Sequence, residues 1–396
     1  MAVPTRLGRL IFLSCVAWAT AARAELIPTL QLAAEERYDD DLLLRQTNPS
    51  GAGQMVTKLS PHFGLDLKER TLTGHAFYEP AFFIHSASGY LGVDHRGALD
   101  FRRAFSHVFS LDTKGEVWRV SDPTSLVRTG LARTISPILY GWVEVAGADR
   151  LSPRDTLRVG YKFEGTKVYE REVFPDSPFA PPSAGFAHVP FAELWHRATR
   201  RTDIGVEYRF QYFSLGPQQG DGNSLAALYR YRLSPDTKLT LRAGPTHYQK
   251  LDNSPTNPSR TGWLPRLVFD FTYENHLSKI TVTLGHELAG ATGLTSALWI
   301  EYASLFGSHR LWKELSAFGG VSVYRNGYAA NIGIDSLFSA SVARGYWLNA
   351  GLEWKLSRDL ALNGVFTRVT QLGSPALHVG DLTRNVFAVR LVYTAL

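Results

Sequence analysis

Between Asp203 and Ala243 three consecutive segments alternate apolar with polar residues, many of them charged, at every second position. Glu207 and Arg209 alternate with Val206, Tyr208 and Phe210, Arg230 and Arg232 with Tyr229 and Tyr231, and Lys238 and Arg242 with Leu239 and Leu241. The pattern recurs where Arg158, Lys162 and Glu164 oppose Val159, Tyr161 and Phe163, and where Glu353 sits between Leu352 and Trp354. Side chains on a strand point to opposite faces with period two, so each segment has one ionised face and one oily face. A rank of ionised groups on adjoining ribbons binds and steers ions, because rings of charged side chains set the selectivity of aqueous pores. We therefore single out Arg158, Lys162, Arg209, Arg230, Arg232, Lys238 and Arg242 as basic pore-lining residues and Glu164, Glu207 and Glu353 as acidic ones. Arg266, Asp270, Glu287 and Glu301 join the same face in this register. The plainer use of such interleaved charges is to pair with one another and keep a lumen wet. Trp142, Trp299 and Trp347 also fall on the ionised face, where they could stack against sugar rings. A slip of one residue would turn them to lipid, and an interfacial girdle is the expectation for most of the nine tryptophans.

Other chemistries find little support. His188 and His196 flank Glu193, but on a strand they lie about 26 Å apart at ~3.3 Å per residue, too far to hold one ion. A serine hydrolase triad assembles from distant sequence and leaves no local mark. The chain has no phosphate-binding glycine loop, no cysteine pair and no His-Glu-x-x-His motif. We expect no enzyme, no cofactor and no metal centre, although Asp39, Asp40 and Asp41 at a loop offer carboxylate oxygens of the kind that bind divalent cations. Lys and Arg number 42 against 36 Asp and Glu, too small an excess to propose a nucleic-acid partner.

The elements that must position these residues begin with Met1 to Ala24. Basic Arg6 and Arg9, an apolar run from Leu10 to Ala19 and the small-x-small sequence Ala22-Arg23-Ala24 describe a secretory signal peptide, with a mature domain from Glu25 to Leu396. The single cysteine, Cys15, lies inside that leader, which suits a protein exported to an oxidising compartment. No later window approaches the ~18 apolar residues of a membrane helix. Alternating segments recur to the end without a linker. Tight turns at Lys68 to Arg70, Ala104 to Ser106, Ser152 to Asp155, Arg200-Arg201, Ser234 to Asp236, Asn275 to Ser278, Gly307-Ser308 and Ser357 to Asp359 all follow even-numbered segments. Longer connections, including Arg171 to Ser183, Gly216 to Gly222 and Asn326 to Arg344, follow odd ones. Short turns on one side and long loops on the other are the habit of transmembrane barrels. The expected fold is therefore all-β: a transmembrane antiparallel up-and-down β-barrel of about 18 strands, with 16 and 20 as the neighbouring counts. A soluble sandwich shows similar alternation with its oily face inward and stands as the alternative. Phe387, Val389, Leu391 and Tyr393 share a face at the C terminus, a pattern similar to the terminal signal read by outer-membrane assembly machinery.

Glu36, Tyr38, Asp39, Asp40 and Asp41, in the order Glu-Arg-Tyr-Asp-Asp-Asp, resemble the Glu-x-Tyr-Asp-Asp-Asn opening of the type 2 β-barrel porin family, with Asp41 in place of Asn. That resemblance extends to Wzp-type barrels of exopolysaccharide systems. It implies a cell outer-membrane conduit for a secreted exopolysaccharide or capsular polysaccharide, with a periplasmic polysaccharide export (OPX-type) protein and outer-membrane lipid as partners. The alternative, which needs only the barrel, is a diffusion porin for small, in particular anionic, solutes.

Overall fold

In a computed structural model the protein is described over residues 25–40, 53–86, 89, 91–121, 138–168, 184–215, 218–251, 260–289, 298–328, 343–372 and 382–395. These form eighteen strands: β1 (Glu25–Asp39), β2 (Gln54–Lys68), β3 (Leu72–His85), β4 (Leu91–Ala104), β5 (Phe109–Val120), β6 (Ile138–Arg150), β7 (Asp155–Val168), β8 (Gly185–Arg197), β9 (Thr202–Leu215), β10 (Gln218–Ser234), β11 (Thr237–Leu251), β12 (Arg260–Glu274), β13 (Ser278–Ala289), β14 (Leu298–Arg310), β15 (Leu315–Tyr328), β16 (Ala343–Lys355), β17 (Leu360–Leu372) and β18 (Leu382–Ala395). Each pairs antiparallel with its sequence neighbours, and β1 pairs with β18, so the sheet closes on itself. Closure leaves no sheet edge, which is what allows β-structure to cross a bilayer.

The strands form as the alternation dictates. On one face Leu30, Phe63 and Tyr78 stand in register across β1, β2 and β3, and Tyr208, Phe387 and Val389 continue that face elsewhere, each about half exposed. On the other face Glu207, Ala226, Leu228 and Val268 are buried. A barrel's outer surface is convex and its inner surface concave, so the crowded face is the lumen and the exposed oily face looks outward. A sandwich would bury Tyr208 and expose Glu207; the reverse holds.

Eight tight turns join even to odd strands, and this end is called the turn end below; the opposite, loop end carries the longer connections. Hydroxyl and amide side chains build the turns. Ser152 Oγ accepts from the N–H groups of Arg154 and Asp155 at 3.0 Å each, Thr199 Oγ1 from Arg201 and Thr202, and Asn275 Oδ1 from Leu277 and Ser278 at 2.9 and 2.7 Å. Such residues fold the chain back on itself because their side chains bond the backbone two or three positions on.

Two expected boundaries shift. Gly307 and Ser308 lie within β14, and the turn falls between Arg310 and Leu315, where the N–H groups of Leu311 and Trp312 both donate to the Leu315 carbonyl. The expected connection from Gly216 to Gly222 shrinks, because β10 begins at Gln218 and its glycines pair within the sheet: Gly220 with Phe213, Gly222 with Gln211. Small residues there make room for the Phe213 ring of β9 and, across the lumen, for Leu288 of β13 rather than for a loop. Residues 1–24, which hold the predicted leader, lie outside the described residues.

Candidate functional site

The lumen is the site, and its strongest feature spans β6 to β13. Glu207 is fully buried and receives three cations: Arg209 Nε at 2.9 Å and Arg266 Nη1 at 3.1 Å, both on Oε1, and Arg242 Nε at 3.5 Å from Oε2. Arg266 reaches on to Glu287 at 3.8 Å, and Arg242 to Asp270 at 3.7 Å. Across the β8–β9 pair Glu193 stands in register with Glu207 and meets Arg158 at 3.5 Å, while Arg158 bonds Glu144 at 2.6 Å. Two carboxylates facing each other in register are repulsive on their own. Here each carries its own guanidinium, so the pair becomes the centre of a chain of alternating charge running round the wall.

Aromatic rings are laid into this chain. Arg230 stacks 4.2 Å over Trp195, Arg96 4.4 Å over Trp118, Arg158 4.8 Å over Phe191, and Lys162 5.4 Å over Trp142. Cation–π contact holds a charge in place without cancelling it. Lys162 also pairs with Glu164 at 2.9 Å, and Glu164 accepts from the Tyr140 hydroxyl at 3.1 Å. At the turn end Arg232 and Lys238 face each other in register on β10 and β11. Neither has a carboxylate within ion-pair distance among the described residues, whereas Arg230 beside them has Asp203 at 3.5 Å.

The adjoining wall, β14 to β17, is nearly free of charge. Its luminal side chains include Tyr302, Ser304, Phe306, Ser322, Tyr324, Trp347 and Asn349, with Glu353 and Asn363 in register near the turn end. Ser304 and Ser322 share a hydrogen bond of 2.7 Å, and Trp347 lies 5.6 Å from Phe306, ring to ring. The rings lie flat because glycines stand beneath them: Tyr302 covers Gly285 and Phe306 covers Gly320, each directly opposite on the next strand, where a Cβ would overlap the ring. Towards the loop end Val189, Phe213, Tyr248, Leu288 and Ile300 gather into an apolar cluster inside the lumen.

The named residues fall as follows. Arg158, Lys162, Glu164, Glu207, Arg209, Arg230, Arg232, Lys238, Arg242 and Glu353 all occupy luminal positions, as do Trp142 and Trp347. Trp299 stands in register with Leu288 and Gly327, and its side chain lies outside the described ones. Glu301 is a correction. It faces outward between luminal Ile300 and Tyr302, beside Arg325 at 3.9 Å. Near the loop end the outer face has left the oily zone and the lumen holds the apolar cluster, so hydropathy no longer reports which way a side chain points. The girdle expected for most tryptophans is also corrected. Among the described tryptophans Trp118, Trp142, Trp195 and Trp347 face the lumen, Trp263 and Trp354 are more than half exposed on the outer face, and Trp312 is exposed in the turn between β14 and β15. Among the residues missed, Glu193, Arg96 and Trp195 matter most; their strands alternate weakly in hydropathy and gave no signal.

The acidic segment near the N terminus has a structural task. Asp39 is buried in β1 and accepts from Arg384 of β18, whose Nε lies 2.9 and 3.1 Å from the two carboxylate oxygens and whose Nη2 also bonds Oδ2. Asp40 accepts from the Asn385 N–H and Nδ2, each at 2.6 Å. Glu36 accepts from the Thr57 hydroxyl at 2.8 Å on the outer face, where Tyr38 is also exposed. Asp41 lies outside the described residues. The expected acidic loop is thus partly a latch across the closing strand pair. His188 and His196 are outward, with Tyr161 and Asp155 as partners, whereas Glu193 is luminal, so the three do not meet.

This is the inner wall of a closed eighteen-strand barrel. No family model matches the sequence, and no curated protein matches it. Solved structures with a similar architecture include the outer membrane protein opdK from Pseudomonas aeruginosa, at 13% identity over 93% of this chain and 99% of that one with a TM-score of 0.43. Acinetobacter baumannii OccAB4 is 10% identical over 94% and 98%, TM-score 0.46, and a BenF-like porin from Pseudomonas fluorescens Pf-5 is 11% identical over 93% and 99%, TM-score 0.44.

Proposed function

We propose that the protein is an outer-membrane channel through which small solutes diffuse, with a preference for anions. One observation carries this reading: the closed eighteen-strand sheet turns its oily face outward and its ionised face inward. Barrels of sixteen to eighteen strands are wide enough to leave an aqueous passage. Its wall performs no bond-making chemistry in this reading; it wets the path and biases which ions enter. Arg232 and Lys238, adjacent and without carboxylate partners among the described residues, supply the anion preference at the turn-end mouth. The conduit for a secreted polysaccharide gives way to this alternative. It rested on the segment from Glu36 to Asp41, and Asp39 and Asp40 there hold β1 to β18, a task that any cargo would require equally.

The test is electrical. The mature chain reconstituted in planar bilayers should open stable ohmic pores, and a potassium chloride gradient should give a reversal potential of the sign for chloride permeability. A silent bilayer would remove the channel; a cation-selective one would remove the anion preference.

A further inference from the structure

Outward positions in the middle of these strands are mostly oily, and the outward charges that occur elsewhere, such as Glu36, Arg103 and Asp149, stand singly towards the strand ends. The outward faces of β9, β12 and β18 contain no Lys, Arg, Asp or Glu at all, yet β15, β16 and β17 each carry an outward arginine: Arg325, Arg344 and Arg368. Arg325 and Arg344 stand directly opposite each other, and Arg368 is in register with outward Leu348, four residues along β16 from Arg344. Like charges in register repel, and cations on the lipid face are costly away from the interface. Among the described residues Arg325 has one carboxylate within ion-pair distance, Glu301 at 3.9 Å. For Arg344 and Arg368 no carboxylate lies within ion-pair distance among the described residues; Arg368 donates to the outward Tyr346 hydroxyl, while its Nε is buried without a hydrogen-bond partner.

Height along the wall places this cluster. Arg325 is ten residues from the turn-end start of β15 and Arg344 eleven from that of β16. At ~3.4 Å per residue and a tilt of about 45°, both stand about 25 Å above the turn end, at the upper margin of an oily band about 25 Å tall. Arg368 lies about 6 Å lower. Beside and beneath it, on the same outward surface, runs a mainly apolar groove of about 820 Å³ whose lining includes Ala350, Leu352, Phe366, Phe387 and Val389, with the Glu36 carboxylate, held by Thr57, at its upper end. Phe366 and Arg368 are successive outward residues of β17, so groove and cation adjoin.

We propose that this face binds a diphosphorylated glycolipid of the outer leaflet, of the lipid A type. Arg325 and Arg344 together take one phosphate, Arg368 takes the second, and acyl chains lie in the groove. The four-residue offset between Arg344 and Arg368 is about 13 Å, the scale of a disaccharide carrying a phosphate at each end. Guanidinium groups suit this ligand because they meet phosphate oxygens bidentately. The inference rests on the loop end facing outward from the cell.

Detergent-solubilised mature protein, titrated with hexa-acylated diphosphoryl lipid A and followed by native mass spectrometry, should retain the lipid. Arg325→Gln, Arg344→Gln and Arg368→Gln combined should weaken retention at least tenfold, whereas Arg103→Gln, outward at the turn end, should leave it unchanged. Wild-type protein should hold monophosphoryl lipid A several-fold less well, a comparison that needs no variant to fold. Equal retention of both lipids, equal retention by the triple variant, or phosphatidylglycerol binding as tightly as lipid A would overturn the proposal. Conductance of the wild-type barrel, measured alongside, reports the channel separately, so loss of one reading leaves the other standing.

Discussion

The wall from β6 to β13 and the adjoining wall from β14 to β17 border the same lumen by opposite means. The first fills its face with ions and neutralises most of them pairwise: Glu207 with Arg209, Arg242 and Arg266, Arg158 with Glu144 and Glu193. The second uses hydroxyls, amides and rings laid over glycines. Buried ions need partners, since leaving one unpaired is far more costly than exchanging both for neutral groups. The charged wall is therefore brittle, each residue depending on several others. The neutral wall should be forgiving to loss of a polar group and sensitive only to added bulk.

The largest expected effect follows from Glu207. Glu207→Gln keeps the shape and removes the charge, leaving Arg266, itself buried, with only the more distant Glu287. Stability should fall by about 3–5 kcal/mol, measured as a shift of the denaturant midpoint for the barrel refolded in lipid vesicles. A loss below about 1 kcal/mol would mean that water in the lumen screens the cluster and that the two walls do not differ in kind.

Added bulk should trouble the neutral wall next. Gly320→Val sets a branched side chain where the Phe306 ring now rests, and overpacking of this kind costs about 1–3 kcal/mol. The displaced ring can move only into the passage, so unitary conductance should drop as well. Unchanged conductance would show that the ring does not border the narrow part of the channel.

Arg232→Gln with Lys238→Gln should alter stability by well under 1 kcal/mol, because removing two facing like charges relieves repulsion while giving up little else. Its effect belongs to selectivity: the reversal potential in a salt gradient should move towards zero. If it stays put, the anion preference arises from the deeper cluster around Arg209 and Arg242.

Much of this contrast was legible in the sequence, and the unread part has a physical cause. Period-two alternation in Ile204 to Tyr212 and Tyr346 to Trp354 declared strands and faces together, and turn parity counted them to eighteen. Alternation reports direction only where one side is lipid and the other water. At the loop end both sides change character, which is why Glu301 was placed inward. On β8 the luminal face holds Ala187, Val189, Phe191 and Trp195 beside Glu193, so both faces read as apolar and the acidic partner of Arg158 went unseen. Pairing between β1 and β18 was equally hidden: Asp39 and Arg384 are 345 residues apart, and only closure brings them together.

The smallest effect tests the forgiving wall directly. Ser304 and Ser322 hydrogen-bond to each other at 2.7 Å on adjacent strands, both partly exposed to the lumen. In Ser304→Ala the remaining hydroxyl can rotate to water, since a serine both donates and accepts. Net loss should stay near 0.5 kcal/mol, the low end for an exchangeable hydrogen bond, with conductance and reversal potential unchanged. A loss approaching that of Glu207→Gln would show that this wall is also held by coupled polar contacts. The distinction between the two walls would then lie in charge alone and not in how tightly each is bound together.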